Sequence, residues 1–475
     1  MPDVPPATAD LDETHAKRTL AVSALAVLAV FLDTTVLFVA FPDIVASFPS
    51  VGTAELSWVL NAYTITFAAL LVPVGKLADR IGHRRAFLTG SVIFTIASVL
   101  CGLAPNVELL VVFRIAQAVG GATLLPSSLA LILRAFPPER IPIAIAIWGA
   151  TGAVAGALGP TLGAGLIELA GWRWVFFVNL PVGIFTVVAG RRILRESSAP
   201  DTRLPAPVGV VLVAAAAALA SYGVVQSEEW GWSDGRTIGV LAAGAALLAV
   251  FIQHQRRTDA PALDLELFAI RNFGWGNAAT VAFSAGFTAM FFGSILFLTQ
   301  VWGWSTLAAG FGIAPGPAMV AVLAPRFGAL AARIGQRPLL IAGGLTFAAG
   351  GVHRLIVLGP ESAYLTEWLP SLLFTGAGVA LCLPQLSSVV AQALPSDRLG
   401  VGGAANQAVR QFAGTLGVAL TIAFVGTPTS LAQALDGFDQ VWWLLVVGGF
   451  ATSLLALPLR TARRPEPATA EVRAA

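Results

Sequence analysis

Fourteen separate stretches of this sequence are long and apolar enough to cross a lipid bilayer, which constrains the chain more than any motif it carries. A spanning helix needs about 20 mostly apolar residues to cover roughly 30 Å of hydrocarbon. Such runs fall at 20–42, 57–74, 86–104, 107–133, 143–167 and 174–190. A second set follows at 208–225, 237–252, 275–299, 306–325, 338–358, 368–391, 401–425 and 440–459, of which 237–252 is short. In hydrocarbon the backbone must satisfy its own hydrogen bonds, so runs of this length are predicted to be helices. The expected fold class is an all-α polytopic membrane protein with 14 transmembrane helices.

Composition agrees. The chain is 56% hydrophobic and only 11% charged, against about 25% charged in an ordinary soluble domain. That is too little charge to coat a water-facing globule, and too much apolar content for disorder. The only two cysteines, Cys101 and Cys382, both sit in apolar runs, which argues against a disulfide framework or a metal cluster. His15, His83, His254 and His353 are scattered without metal-ligand spacing. No Gly-Lys-Ser/Thr phosphate loop is present, which argues against ATP-driven pumping. The expectation is therefore no enzyme, no cofactor, no metal and no nucleic-acid partner. The stretch before Leu20 is polar and mixed in charge, and is read as no cleavable signal.

Orientation follows from the basic residues, which accumulate on cytoplasmic loops. With the N-terminus in the cytoplasm and sides alternating, all but five of the 28 Lys and Arg residues fall at cytoplasmic ends, loops or tails. Arg173, Arg236 and Arg354 fall outside, and Arg114 and Arg410 fall within spans. Both termini are thus expected in the cytoplasm, with the protein in the cell's inner (plasma) membrane, and the preponderance of Arg over Lys with abundant Ala points to a GC-rich bacterium. The tails Met1–Ala16 and Arg463–Ala475 read as disordered.

The loop after the second span, Gly75-Lys-Leu-Ala-Asp79-Arg80-Ile-Gly82-His-Arg84-Arg85, recurs after the tenth as Gly328-Ala-Leu-Ala-Ala332-Arg333-Ile-Gly335-Gln-Arg337. Internal repeats are a common way to build secondary transporters, with the substrate site near the midplane between the halves. Six spans on each side of two central ones give the expected division: a tail at 1–17, a six-helix bundle at 18–195, two added helices at 204–256, a second bundle at 272–460 and a tail at 461–475.

The first loop copy resembles the loop signature of the major facilitator superfamily. Three further segments resemble its fourteen-span drug:proton antiporter branch. They are Leu32-Asp33-Thr-Thr-Val-Leu-Phe-Val-Ala-Phe-Pro42, Arg114-Ile-Ala-Gln-Ala-Val-Gly-Gly-Ala, and Gly156-Ala-Leu-Gly159-Pro160-Thr-Leu-Gly163. Gly171-Trp-Arg-Trp-Val-Phe-Phe-Val-Asn-Leu-Pro-Val-Gly183 is also typical, and the resemblance covers about 18–460. It implies a proton-coupled exporter of amphipathic small molecules, driven by the proton gradient, without cofactor, and monomeric. An exporter of one endogenous metabolite or antibiotic would share these motifs, and a non-transporting membrane sensor would place no demand on Asp33.

The residues themselves say where such chemistry could lie. Asp33 is about fourteen residues into the first span, and a carboxylate at that depth must line a polar cavity, find a partner or be protonated. Arg114 keeps its charge in the fourth span and needs compensation, for which Asp33 is the obvious candidate. The alternatives are Asp33 bonded to Thr34, Thr35 or a neighbouring helix, and Arg114 capped by backbone carbonyls. Gly75, Asp79, Arg80, Gly82, Arg84 and Arg85 are read as a conformational latch, with Asp79 facing a helix N-terminus, Arg80 or Arg410. Gly152, Gly156, Gly159 and Gly163 with Pro160 form a small-residue face for close packing and bending. Substrate-cavity candidates are Trp58, Asn61, Tyr63, Asn277, Phe287, Phe291, Gln385 and Gln392, each of which could equally be packing or an interfacial anchor.

Overall fold

The computed structural model describes residues 6–137, 140–197, 204–395 and 398–460, and the tail Arg463–Ala475 lies outside them. Among the described residues 14 helices are long and apolar enough to span a bilayer. They are α1 Glu13–Ser47, α2 Thr53–Ile81, α3 His83–Gly102, α4 Val107–Ala135, α5 Ile143–Ala170, α6 Trp174–Ile193 and α7 Pro207–Trp230. The second half holds α8 Gly235–Arg257, α9 Arg271–Gln300, α10 Thr306–Ile334, α11 Gln336–Val357, α12 Tyr364–Gln392, α13 Val401–Val425 and α14 Leu431–Ala456. The weak stretch at 237–252 is a complete helix once its polar ends are included. Its N-terminus is capped by Asp234, whose side chain accepts from Arg236 N at 2.7 Å.

Two six-helix bundles, α1–α6 and α9–α14, flank the central pair α7–α8. Fourteen crossings return the chain to the side it started from, so both ends lie on one face, the termini face; the opposite is the far face. The helix of α1 continues back to Pro6, where a disordered tail was expected. Glu13 helps to fix it, pairing with Lys17 at 2.8 Å and with Arg140 beside α5 at 2.9 Å.

Glycine sets the loop repeat. At Gly82 (φ +105°) and Gly335 (φ +88°) the backbone enters a region that residues with a Cβ avoid. Each turn ends one helix and starts the next within a single residue, so the sequence repeat is also a geometric one.

On the far face the bundles meet. Thr306 Oγ1 at the start of α10 donates to Asp43 Oδ2 of α1 at 2.9 Å. Phe41 of α1 meets Phe292 of α9 edge-on at 5.2 Å, and Phe38 meets Phe291 at 6.0 Å. Toward the termini face α5 and α10 part. Ile143, Ile145, Ile147 and Gly149 of α5 are exposed, as are Pro325, Arg326, Gly328 and Ala329 of α10. A Cβ placed at Gly149, Gly156 or Gly328 would meet nothing within 4 Å, so a cleft opens there. The other flank is covered: α2 packs on α13, and α7 packs on both.

Arg354 lies in the last turn of α11, at its far-face end, but does not reach the surface. It sits inside α11 with 0% exposure, drawn in by hydroxyl and indole partners from α9, α12 and α14.

Glycine packing makes a direct test. A methyl at Gly120 of α4 would come within 2.8 Å of the Phe94 backbone of α3, whereas one at Gly156 meets open space. Gly120→Ala is expected to cost about 1–3 kcal/mol, as overpacking does, and Gly156→Ala to be near neutral. Thermal unfolding of the two variants in detergent reads the difference, and equal melting temperatures would refute the assigned packing.

Candidate functional site

α1, α3, α4 and α6 converge on one carboxylate. Asp33 is 3% exposed and Arg114 1% exposed, and neither could stand alone in an apolar bundle. Arg114 Nη1 donates to Asp33 Oδ2 at 2.6 Å, so the two charges pair directly. The other carboxylate oxygen, Oδ1, accepts from Gln117 Nε2 at 2.8 Å and from Asn179 Nδ2 at 3.2 Å.

The partners are themselves tied down. Gln117 and Asn179 share Ser98 Oγ as an acceptor, at 3.1 and 2.9 Å, and Ser98 in turn donates to Phe176 O at 2.9 Å. Arg114 reaches Val59 O through Nε at 3.1 Å and Gln117 Oε1 through Nη1 at 2.6 Å, and its guanidinium lies 4.0 Å from the Tyr63 ring centre. Backbone capping of Arg114 is therefore present, but beside the ion pair and not in place of it. Thr34 and Thr35 bond to main-chain carbonyls, Thr35 reaching Ala155 O of α5 at 3.1 Å.

Chemically this is a buried carboxylate paired with a permanent cation and completed by two amides. A charge-assisted bond of this kind is strong in low dielectric. Protonating Asp33 would neutralise one oxygen and strand the Arg114 charge, so the network has two distinct states.

Gln117, Asn179 and Ser98 were not singled out in the sequence. Gln117 lies three residues after Arg114, on the same helix face, and Asn179 is a lone amide in the apolar stretch before Gly183. Polarity at membrane depth was the available signal.

The loop is wired differently from expectation. Asp79 pairs with His83 at 3.3 Å, across the Gly82 turn. The N-terminus of α3 is capped instead by Glu196, which follows α6 and accepts from Arg84 N at 3.0 Å and Arg85 N at 3.2 Å. Gly82 turns α3 so that its free N–H groups face Glu196, and a Cβ at Gly82 would collide with that carboxylate. Arg84 also donates to Arg191 O at 2.8 Å, and Arg80 is exposed. Lys76 Nζ reaches Pro261 O, beyond α8, at 2.8 Å, and Gly75 rests on Pro126 of α4. Arg410 donates to Gln407 of its own helix, whose side chain is one turn away and nearer than Asp79.

On α5, methyls at Gly159 and Gly163 would clash with Thr35 and Val36 of α1, and Gly152 faces Phe31 at 3.6 Å. Gly156 faces open space, so it does not share that close packing. Pro160 O and Ala164 approach Gly310 of α10, each 2.7 Å from where its Cβ would lie.

The cavity candidates divide. Phe287 and Phe291 join Phe38 in one aromatic run at the bundle interface, 6.2 and 6.0 Å between successive rings. Tyr63 belongs with Arg114. Trp58 packs on Tyr222 of α7 at 6.5 Å, and Asn277 accepts from Asn406 Nδ2 at 2.9 Å. Asn61 is buried beside Thr64, which accepts from Thr415 Oγ1 of α13 at 2.7 Å. Gln385 is buried on α12, and Gln392 is exposed.

Removing one member of a buried pair leaves the other uncompensated. Asp33→Ala is expected to cost about 3–5 kcal/mol of stability, and adding Arg114→Leu to recover most of that loss. Denaturation midpoints in detergent test this; strictly additive effects would show that the pair is not coupled.

Comparison with known proteins gives the same architecture. The Major Facilitator Superfamily model matches residues 23–418. The tetracenomycin C resistance and export protein of Streptomyces glaucescens is 33% identical over 406 residues, 85% of this chain and 74% of that protein. Multidrug resistance protein Stp of Mycobacterium tuberculosis is 34% identical over 403 residues, again 85% of this chain and 74% of that one. The crystal structure of the human organic anion transporter TETRAN superposes with a TM-score of 0.62 at 16% identity, covering 94% of this chain and 100% of that chain, which bears on the fold alone. With two helical bundles, an inter-bundle cleft and a buried charge pair already in view, the chain belongs to the Major Facilitator Superfamily: it is a multi-pass membrane transporter of small molecules and not an enzyme.

Proposed function

We propose that this transporter is a drug:proton antiporter that exports amphipathic small molecules by alternating access, driven by the proton gradient. The observation that carries the reading is Asp33, buried inside the first bundle and bonded there by Arg114, Gln117 and Asn179. Deprotonated, the carboxylate holds α1 to α4 and α6. A proton arriving from the far face releases Arg114 and loosens that contact, and its discharge to the termini face restores it.

The rest of the machine follows from the same reading. Both termini lie in the cytoplasm of a bacterial cell, and the protein sits in the plasma (inner) membrane as a monomer. The bundles span 18–195 and 272–460, with 204–256 between them. The loop of Gly75, Asp79, Arg80, Gly82, Arg84 and Arg85 stabilises one access state through the α3–Glu196 cap and the Lys76–Pro261 bond. Gly159, Gly163 and Pro160 let α5 seal against α1 and α10 on the far face, with Gly152 and Gly156 toward the open end. Substrate enters the cleft between α5 and α10 and meets the aromatic run of Phe287 and Phe291, with Asn61, Asn277 and Gln385 as polar contacts and Trp58 and Tyr63 at its margin. Restriction to a single compound is the second reading, favoured by the relative that carries tetracenomycin C in its name.

The test is collapse of a pH gradient in everted vesicles, challenged with unrelated cationic and neutral amphipaths. Wild type is expected to respond to several, and Asp33→Asn to none while reaching the membrane at the same level. A response to one compound only would establish the restricted exporter. Unchanged proton movement in Asp33→Asn would overturn the coupling role.

A further inference from the structure

The second membrane-buried guanidinium has no carboxylate. Arg354 of α11 is 0% exposed, and its ion-pair partner is absent among the described residues. Its guanidinium sits in the corner of two indoles inclined at 70° to each other, 4.6 Å from the Trp368 ring centre and 4.5 Å from that of Trp442. Along its edge, Nε donates to Ser371 Oγ at 3.2 Å and Nη1 to Ser294 Oγ at 2.9 Å. Those hydroxyls spend their own protons on Trp368 O and Met290 O, so they act toward the arginine as neutral acceptors.

Two donors remain. Arg354 Nη2 and Trp368 Nε1 are both buried and both lack a hydrogen-bond partner. Trp368 is itself 0% exposed, so neither donor is served by bulk solvent. Stacking on indole offsets part of the cost of a buried cation, yet one full positive charge and two unused donors stay enclosed in the second bundle. Donors without acceptors, around an uncompensated cation and walled by aromatic carbon, define the complement of a small, weakly hydrated anion. A carboxylate or a phosphate would need more donors than these two.

We propose that Arg354 and Trp368 form a halide-binding site, occupied by chloride, that neutralises the second bundle. Arg354 is three residues from the far-face end of α11 at Val357, so the ion enters from that face. The anion is a structural counter-ion for α9, α11, α12 and α14, and the proposal does not depend on the transported substrate.

Thermal unfolding of the purified full-length protein in detergent tests it, in sodium chloride, bromide or gluconate at equal ionic strength. Chloride and bromide are expected to raise the melting temperature saturably over gluconate. Arg354→Gln should abolish that difference. Should Arg354→Gln fail to fold, Trp368→Phe keeps the ring and removes the Nε1 donor, and should shift the halide midpoint several-fold upward. Equal melting temperatures of wild type in all three salts would overturn the site, as would a halide response unchanged in the folded variants.

Discussion

A charge in hydrocarbon has to be answered from within the protein, and the first bundle is organised around one such answer. Asp33 and Arg114 come from α1 and α4, and the amides that complete the carboxylate's shell come from α4 and α6. Ser98 of α3 accepts from both amides. Four helices are thus tied to two oxygens. Because apolar side chains pack nearly as well against lipid as against each other, such polar contacts fix which helix faces turn inward. Close glycine contacts then bring the backbones near enough for the short polar side chains to reach.

The second constraint is lateral. α7 and α8 do not extend either bundle; α7 lies across α2 and α13, on the flank where the bundles stay packed. At the far face Glu228 of α7 accepts from Thr427 N at 2.9 Å, and beyond α8 Asp264 pairs with Arg398 at 3.6 Å. Lys76 ties the same segment to α2. The added pair is therefore bonded to both bundles on one flank, while the α5–α10 flank carries no such cover. The side of the α5 glycines, where the cleft opens, is thus the flank without such ties among the described residues.

Most of the fold was legible because its driving signal is one-dimensional. Run length, apolar content and the placement of arginines follow the chain in order, so fourteen helices could be counted without knowing how they pack. The Asp33–Arg114 pair was legible for a related reason: two opposite charges at membrane depth have few places to go. What could not be read was any contact made by a neutral amide or by a residue outside the motifs. Gln117 and Asn179 look like ordinary polar interruptions until four helices are superposed on Asp33. Glu196 sits a hundred residues after the loop it caps, and Asp79 found His83 because a neighbour across the Gly82 turn needs no long-range packing to be reached. The burial of Arg354 could not be read, because only tertiary packing supplies the tryptophans that enclose a charge near a span end.

Arg114 and Arg354 show two different solutions to the same electrostatic problem, and the difference bears on mechanism. Arg114 is balanced by a carboxylate, the group whose protonation the proposed coupling uses to release it. Arg354 is clasped by indoles and hydroxyls that do not titrate near neutral pH, and so its surroundings offer no such change. The first bundle has the responsive pair. The second has a cation held at constant charge, in a stack that joins α9, α11, α12 and α14 through Phe297, Trp368 and Trp442. On the proposed coupling, the switch lies on one side of the cleft and the fixed charge on the other.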